Sequence, residues 1–201
     1  MSYMRDRRPG DGHDWHSLGY VDQWITKDID REDERRPILD KMLSFAGFAR
    51  DARLHVLDIA AGYGAVTDAV MRAFPRAEVT LQDFSQQMLD RAREHLSARF
   101  PACTYVCCDL TDAAWSRAVG GPFDLAVSAI GIHNLADLAV ISRCYRGVSA
   151  VMAAGGCFLN CDYFSRVGGV QAHLQALRDA GFTSADCLWQ DEKRAITKAV
   201  R

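Results

Sequence analysis

Four aspartates, a histidine and two closely spaced glycines occupy corresponding places in the chain. Asp58 lies within the apolar run Val56, Leu57, Ile59, and Gly62 and Gly64 follow it. Asp83 follows EVTLQ, Asp109 follows TYVCC, Asp162 follows CFLNC, and His133-Asn134 follow FDLAVSAIGI. A carboxylate accepts from two neighbouring hydroxyls at once. Histidine exchanges a proton near neutrality. Glycines let the main chain turn sharply and approach a ligand where a Cβ would collide. Asp83 lies about twenty positions past the glycine turn, where doubly wound sheets set an acid against ribose hydroxyls. Taken singly, each feature also has a plain structural use. The D-x-A-x-G-x-G spacing differs from the dinucleotide G-x-G-x-x-G and fits an ordinary strand–turn–helix. Asp83 could simply end a strand.

These residues need elements that bring them to one edge. Apolar runs at 56–59, 78–82, 104–108, 123–130 and 157–161 read as strands. Helical stripes separate them: Val66, Ala69, Val70, Ala73; then Met88, Leu89, Ala92, Leu96; then Trp115 to Val119; then Leu138, Ile141, Tyr145, Val148, Met152, ended by Gly155-Gly156. Val170, Leu174 and Leu177 mark another helix, closed by Gly181. Ala185–Gln190 and Arg194–Val200 flank a polar Asp191-Glu192 turn and read as an antiparallel pair. The expectation is an α/β fold: a doubly wound, mostly parallel seven-stranded sheet with a terminal antiparallel hairpin. Ligands in such sheets bind beyond the carboxyl ends of the strands. That is where the four acids, the glycine turn and His133-Asn134 gather.

Residues 1–12 are polar and predict a disordered tail. Residues 13–48 predict a helical segment that packs on the domain or covers the site as a lid, through Trp15, Tyr20 and Trp24. Residues 28–36 are densely charged, and Pro37 is expected to start a helix carrying Ile38, Leu39, Met42, Leu43 and Phe45. Residues 49–201 form the sheet domain. The chain has 201 residues, 49% of them apolar, enough for one domain with a good core. Its 24 basic and 26 acidic residues show no basic face, which argues against nucleic acid as a partner. No apolar run is long enough to cross a bilayer. Arg5, Arg7 and Arg8 lack the apolar stretch of a secretory signal. Seven cysteines without a C-x-x-C pair read as reduced thiols of a cytoplasmic protein, and no metal site is expected.

The series VLDIAAGYG, LQDFS, CCDLTD, FDLAVSAIGIHNL and GGCFLNCDY, in this order, resembles the class I S-adenosylmethionine-dependent methyltransferases. The resemblance covers roughly residues 13–201. More narrowly, it resembles a bacterial small-molecule branch with an N-terminal WHS…YVDQW segment. It implies a Rossmann-like fold, S-adenosyl-L-methionine as cofactor and a small-molecule methyl acceptor, methylated on O, N or a carboxylate. On that resemblance Asp58 and the main chain at Ala60, Gly62 and Gly64 would hold the methionine part. Asp83 would bind the ribose, Phe84 would face the adenine, and Asp109 with Leu110 would meet its edge. Ser128 would run below the methionyl chain. His133 is the candidate base, or else a bond to a neighbouring loop, and Tyr20 is the second candidate. Trp24, Asn134, Asp162 and Tyr163 would meet the acceptor. Two positions depart from the pattern. Ala60 stands where the family usually has glycine. Only Tyr163–Gly168 fills a gap that usually holds a longer cover, so the site is open, completed by a second subunit as in a homodimer, or shortened. Those departures keep open a member that binds the cofactor for regulation or interaction without methyl transfer. A nicotinamide-dependent oxidoreductase is a more distant alternative, given the glycine spacing.

Overall fold

A computed structural model describes residues 14–100 and 102–201. The expected tail at 1–12 lies outside the described residues. In chain order the elements are α1 (Leu18–Ile29), α2 (Glu32–Ser44), β1 (His55–Ile59), α3 (Ala65–Ala73), β2 (Glu78–Asp83), α4 (Gln86–Leu96) and β3 (Thr104–Cys107). Then follow α5 (Trp115–Val119), β4 (Phe123–Ala129), α6 (Leu138–Val151), β5 (Met152–Asp162), α7 (Gly169–Asp179), β6 (Ser184–Gln190) and β7 (Ala195–Val200). Short 3-10 turns at Ile132–Leu135 and Phe164–Arg166 follow β4 and β5.

The seven strands form one sheet in the order β3-β2-β1-β4-β5-β7-β6. β3 through β5 are parallel, and β7 runs antiparallel to both β5 and β6. Successive strand side chains point to opposite faces, and both faces here are covered. Val56, Leu125, Val127, Leu159 and Ile196 enter a core beneath α2, α3 and α4. Leu57, Ile59, Ala126 and Phe158 enter a second core with Ile141, Tyr145, Val148 and Leu177. This two-sided burial explains why β1 and β4 read as unbroken apolar runs.

Local chemistry starts the helices. The Ser85 hydroxyl accepts from the Met88 N–H at 3.2 Å, and Asp137 accepts from Ala139 and Val140. Ser17 caps α1 through the Tyr20 N–H. Two expectations are corrected. Pro37 lies inside α2, because Glu32, Asp33 and Glu34 occupy the first turn and favour the helix's positive end there. Gly155-Gly156 do not end α6. That helix passes straight into β5 as Met152 turns extended (φ −81°, ψ 143°), and the glycines lie in the strand.

Among the described residues, no helix is long and apolar enough to cross a membrane. All seven cysteines are free thiols.

Candidate active site

The carboxyl ends of β1 to β5 and the N-terminal helices enclose a cavity of about 500 Å³. Its floor is the loop after β1. There three successive N–H groups are tied to the tip of β2. Ala60 donates to Gln82 Oε1 at 3.0 Å, Ala61 to the Gln82 carbonyl at 2.9 Å, and Gly62 to Asp83 Oδ2 at 2.9 Å. Gln82 Nε2 reaches on to the Cys108 carbonyl at 2.6 Å, so one side chain joins the tips of β1, β2 and β3. With these N–H groups engaged and the Ala61 carbonyl taken by the Gly64 N–H at 3.0 Å, the carbonyls of Ala60 and Gly62 are what this loop has left for a donor such as an ammonium group.

Asp83 lines the cavity although it is only 5% exposed. Burial raises its pKa, opposed by N–H bonds from Ser85, Gly62 and Phe84. Those three bonds take three of the carboxylate's four lone-pair sites and leave one for a further donor. Phe84 lies beside it on the wall. Asp109 and Leu110 continue that wall from the end of β3, with Asp109 Oδ1 accepting from the N–H and hydroxyl of Thr111, both at 2.8 Å. Two carboxylates and an aromatic face, converging on one cavity, fit an adenosyl group: acids for its hydroxyl and amino donors, a ring for its base.

At the other end, His133 sits on the 3-10 turn after β4. Asp162, the last residue of β5, accepts its main-chain N–H at 2.9 Å and contacts its Nδ1 at 2.6 Å. A carboxylate accepts, so Nδ1 carries the proton and Nε2 keeps its lone pair. Arg166 Nη1 lies 3.3 Å from that Nε2. Tyr163 packs edge-on to the imidazole, with ring centroids 5.3 Å apart.

The structure brings together on the lining Ala60, Gly62, Asp83, Phe84, Asp109, Leu110, Trp24, His133, Asn134 and Tyr163. Five expected residues lie off it. Asp58 is fully buried and accepts the Thr67 hydroxyl at 2.7 Å, so it anchors the first turn of α3. Burial pushes its pKa up to about 7, and the charge of Asp83 adds to the rise. Gly64 (φ 88°) serves packing: a Cβ there would lie 2.7 Å from Leu96 Cδ1. Ser128 is buried within β4. Asp162 is 1% exposed and acts on the cavity through His133. Tyr20 packs edge-on to Trp15, with centroids 5.2 Å apart, and does not reach the cavity.

Sequence reasoning missed Gln82, Arg35, Arg166 and Arg194. A glutamine at the end of an apolar strand was a visible signal for Gln82. Arg166 lies just past β5, among residues already under suspicion. Nothing in the sequence marked Arg35 or Arg194. The short 163–168 segment, through its 3-10 turn at Phe164–Arg166, sets both Tyr163 and Arg166 on the wall.

This strand order, with acids at the tips of β2 and β3 around one cavity, defines the architecture of the class I S-adenosylmethionine-dependent methyltransferases. Residues 56–156, half of the chain, match the family model described as a methyltransferase domain, and the chain belongs to that family. A demethylmenaquinone methyltransferase of Chlamydia pneumoniae is 37% identical over 82 residues, covering 41% of this chain and 34% of that protein. The matched part thus spans about a third of that relative's length. Among solved structures, an O-methyltransferase family protein from Burkholderia thailandensis superposes with a TM-score of 0.75 at 16% identity, over 92% of this chain and 60% of that one. PigF, solved with SAH, gives 0.75 at 16% identity over 100% of this chain and 66% of its own. At these identities the two structures speak for the fold.

Proposed function

We propose that the protein transfers a methyl group from S-adenosylmethionine to a small-molecule oxygen or nitrogen acceptor. The observation that carries this reading is the convergence of Asp83, Phe84 and Asp109 on the same cavity as the Asp162–His133 pair. Asp83 would hold the ribose hydroxyls, Phe84 the adenine face, and Asp109 with Leu110 the adenine edge. The carbonyls of the loop at Ala60 and Gly62 suit the ammonium end. When bound, the cofactor supplies an electrophilic methyl carbon: the acceptor's lone pair forms the new bond as the C–S pair leaves with sulfur.

The chain's own work is to align, to exclude water and to move one proton. Trp15 and Trp24 wall the cavity from the N-terminal side, and Asn134 and Tyr163 face the acceptor end. His133 Nε2 is the atom that would take the acceptor's proton, with Asp162 holding the tautomer and steadying the imidazolium. A small acceptor is supported by the cavity's size and by a relative named for demethylmenaquinone. Seven free thiols support a reducing, cytoplasmic setting.

Arg166 on His133 Nε2 favours a second reading, a cofactor-binding member without methyl transfer. Calorimetry with S-adenosylhomocysteine tests the part common to both. The wild type should bind it, and Asp83→Ala should weaken binding by about tenfold or more, the scale of losing bonds to a charged acceptor. Failure of the wild type to bind would sink both readings. Methylated product from an acceptor panel separates them.

A further inference from the structure

Arg166 lines the cavity without an acidic partner among the described residues. Its guanidinium lies over the Tyr163 ring, with Cζ 4.6 Å from the centroid, and its Nη1 points at His133 Nε2. Arg31, an exposed residue just before α2, also lines the cavity without an acidic partner among the described residues, whereas two other arginines on this wall are paired. Arg35 pairs with Asp28 and Glu32, and Arg194 with Asp191. A guanidinium cannot shed its charge. Held over a ring, it is set in one orientation, with a planar fork that matches a carboxylate. A carboxylate on the acceptor would supply the acidic partner that the described residues do not give Arg166.

We infer that the methyl acceptor carries a carboxylate, received by Arg166, beside the hydroxyl or amine that faces His133. This rests on the function proposed above. It gives Arg166 a second task. As the structure stands, Arg166 donates to the lone pair through which His133 would take a proton. A carboxylate that draws the guanidinium onto itself uncovers Nε2. Acceptor binding and release of the base are then one event, and a neutral analogue fills the cavity but leaves the base capped.

The test is binding to the protein saturated with S-adenosylhomocysteine, followed by calorimetry. The probes are salicylate against salicylamide and malate against malamide, pairs that differ in the charge of one type of group. At least one anion should bind about tenfold tighter than its amide, the scale of a charge-assisted bidentate bond. Arg166→Gln should abolish that preference and leave affinity for S-adenosylhomocysteine unchanged, which also shows that the cavity is intact. Arg166→Lys should keep part of the preference. Equal binding within both pairs, no binding of either anion, or a preference that survives in Arg166→Gln overturns the inference. So does a loss of S-adenosylhomocysteine affinity in Arg166→Gln, which would give Arg166 to the cofactor's own carboxylate. Failure of the wild type to bind S-adenosylhomocysteine at all is a different result, and it sinks the parent reading.

Discussion

Ala60 holds φ 54°, in the left-handed region, at the turn where β1 meets the cavity. An L side chain is strained there by roughly 1–2 kcal/mol, which explains in physical terms why glycine is the usual occupant. Its methyl group has a neighbour across the cavity floor. A Cβ added to Gly131 would lie 2.7 Å from Ala60 Cβ. The two positions therefore share one methyl-sized space. Ala60→Gly should stabilise the protein by about 0.5–1 kcal/mol. Gly131→Ala alone should cost roughly 1–3 kcal/mol by overpacking, and much less when combined with Ala60→Gly. Urea unfolding of the four proteins measures the coupling, and additive effects would show that the two sites do not meet. Ile130, with φ 54° in a β-branched residue, is a second strained point on the same wall.

At the scale of elements, α1 and the residues just before it are held by polar fastenings more than by buried apolar area. Val21 is the one fully buried residue of α1, packed with Tyr63 and Met88. Arg91 of α4 grips Asp22 with two parallel bonds of 2.8 and 2.9 Å. The Ser85 hydroxyl donates to the Trp15 carbonyl, and the Tyr63 hydroxyl donates to Asp28 at 2.9 Å. Few buried apolar contacts with polar fastenings make a segment that opens locally at low cost. Arg91→Ala should speed hydrogen exchange in α1 while leaving β1, β4 and β5 as protected as before. Unchanged exchange in α1 would mean that the aromatic contacts of Trp15 and Trp24 hold it without the ion pair. The aromatic spacing left open whether this segment packs on the domain or covers the site. It could not show that Trp24 reaches the cavity and Tyr20 does not, because that depends on the helix's rotation, which the packing of Val21 sets.

For the molecule as a whole, the buried Asp58 links stability to pH. Its folded pKa of about 7 lies above the ordinary carboxyl value of 3.8. The folded state therefore holds a proton that the unfolded state releases between those values. This contribution is full below the unfolded pKa and is lost as pH rises through the folded one. Three units correspond to an upper bound of about 4 kcal/mol. Asp58→Asn keeps the shape and cannot ionise. Its melting temperature relative to wild type should therefore climb from pH 5 to about pH 7 and level off above that. A constant difference across that range would show that Asp58 is not the group responsible.

The sequence by itself determined the order of strands and helices, because covered sheets demand unbroken apolar strands and helices demand a stripe. It also determined that Asp83, Asp109 and His133 gather at one edge, since parallel strands bring their carboxyl ends together. Only the tertiary structure decided which of these side chains face the cavity. Asp58 and Ser128 sit at strand ends like the others, yet neighbouring packing turns them inward. It decided, too, that Asp162 bonds His133 and that Arg166 lies against its Nε2. Those pairings join side chains 29 and 33 residues apart in the chain. Distance and orientation between such residues are fixed by how β4, β5 and the turns after them pack, and local sequence carries no record of that.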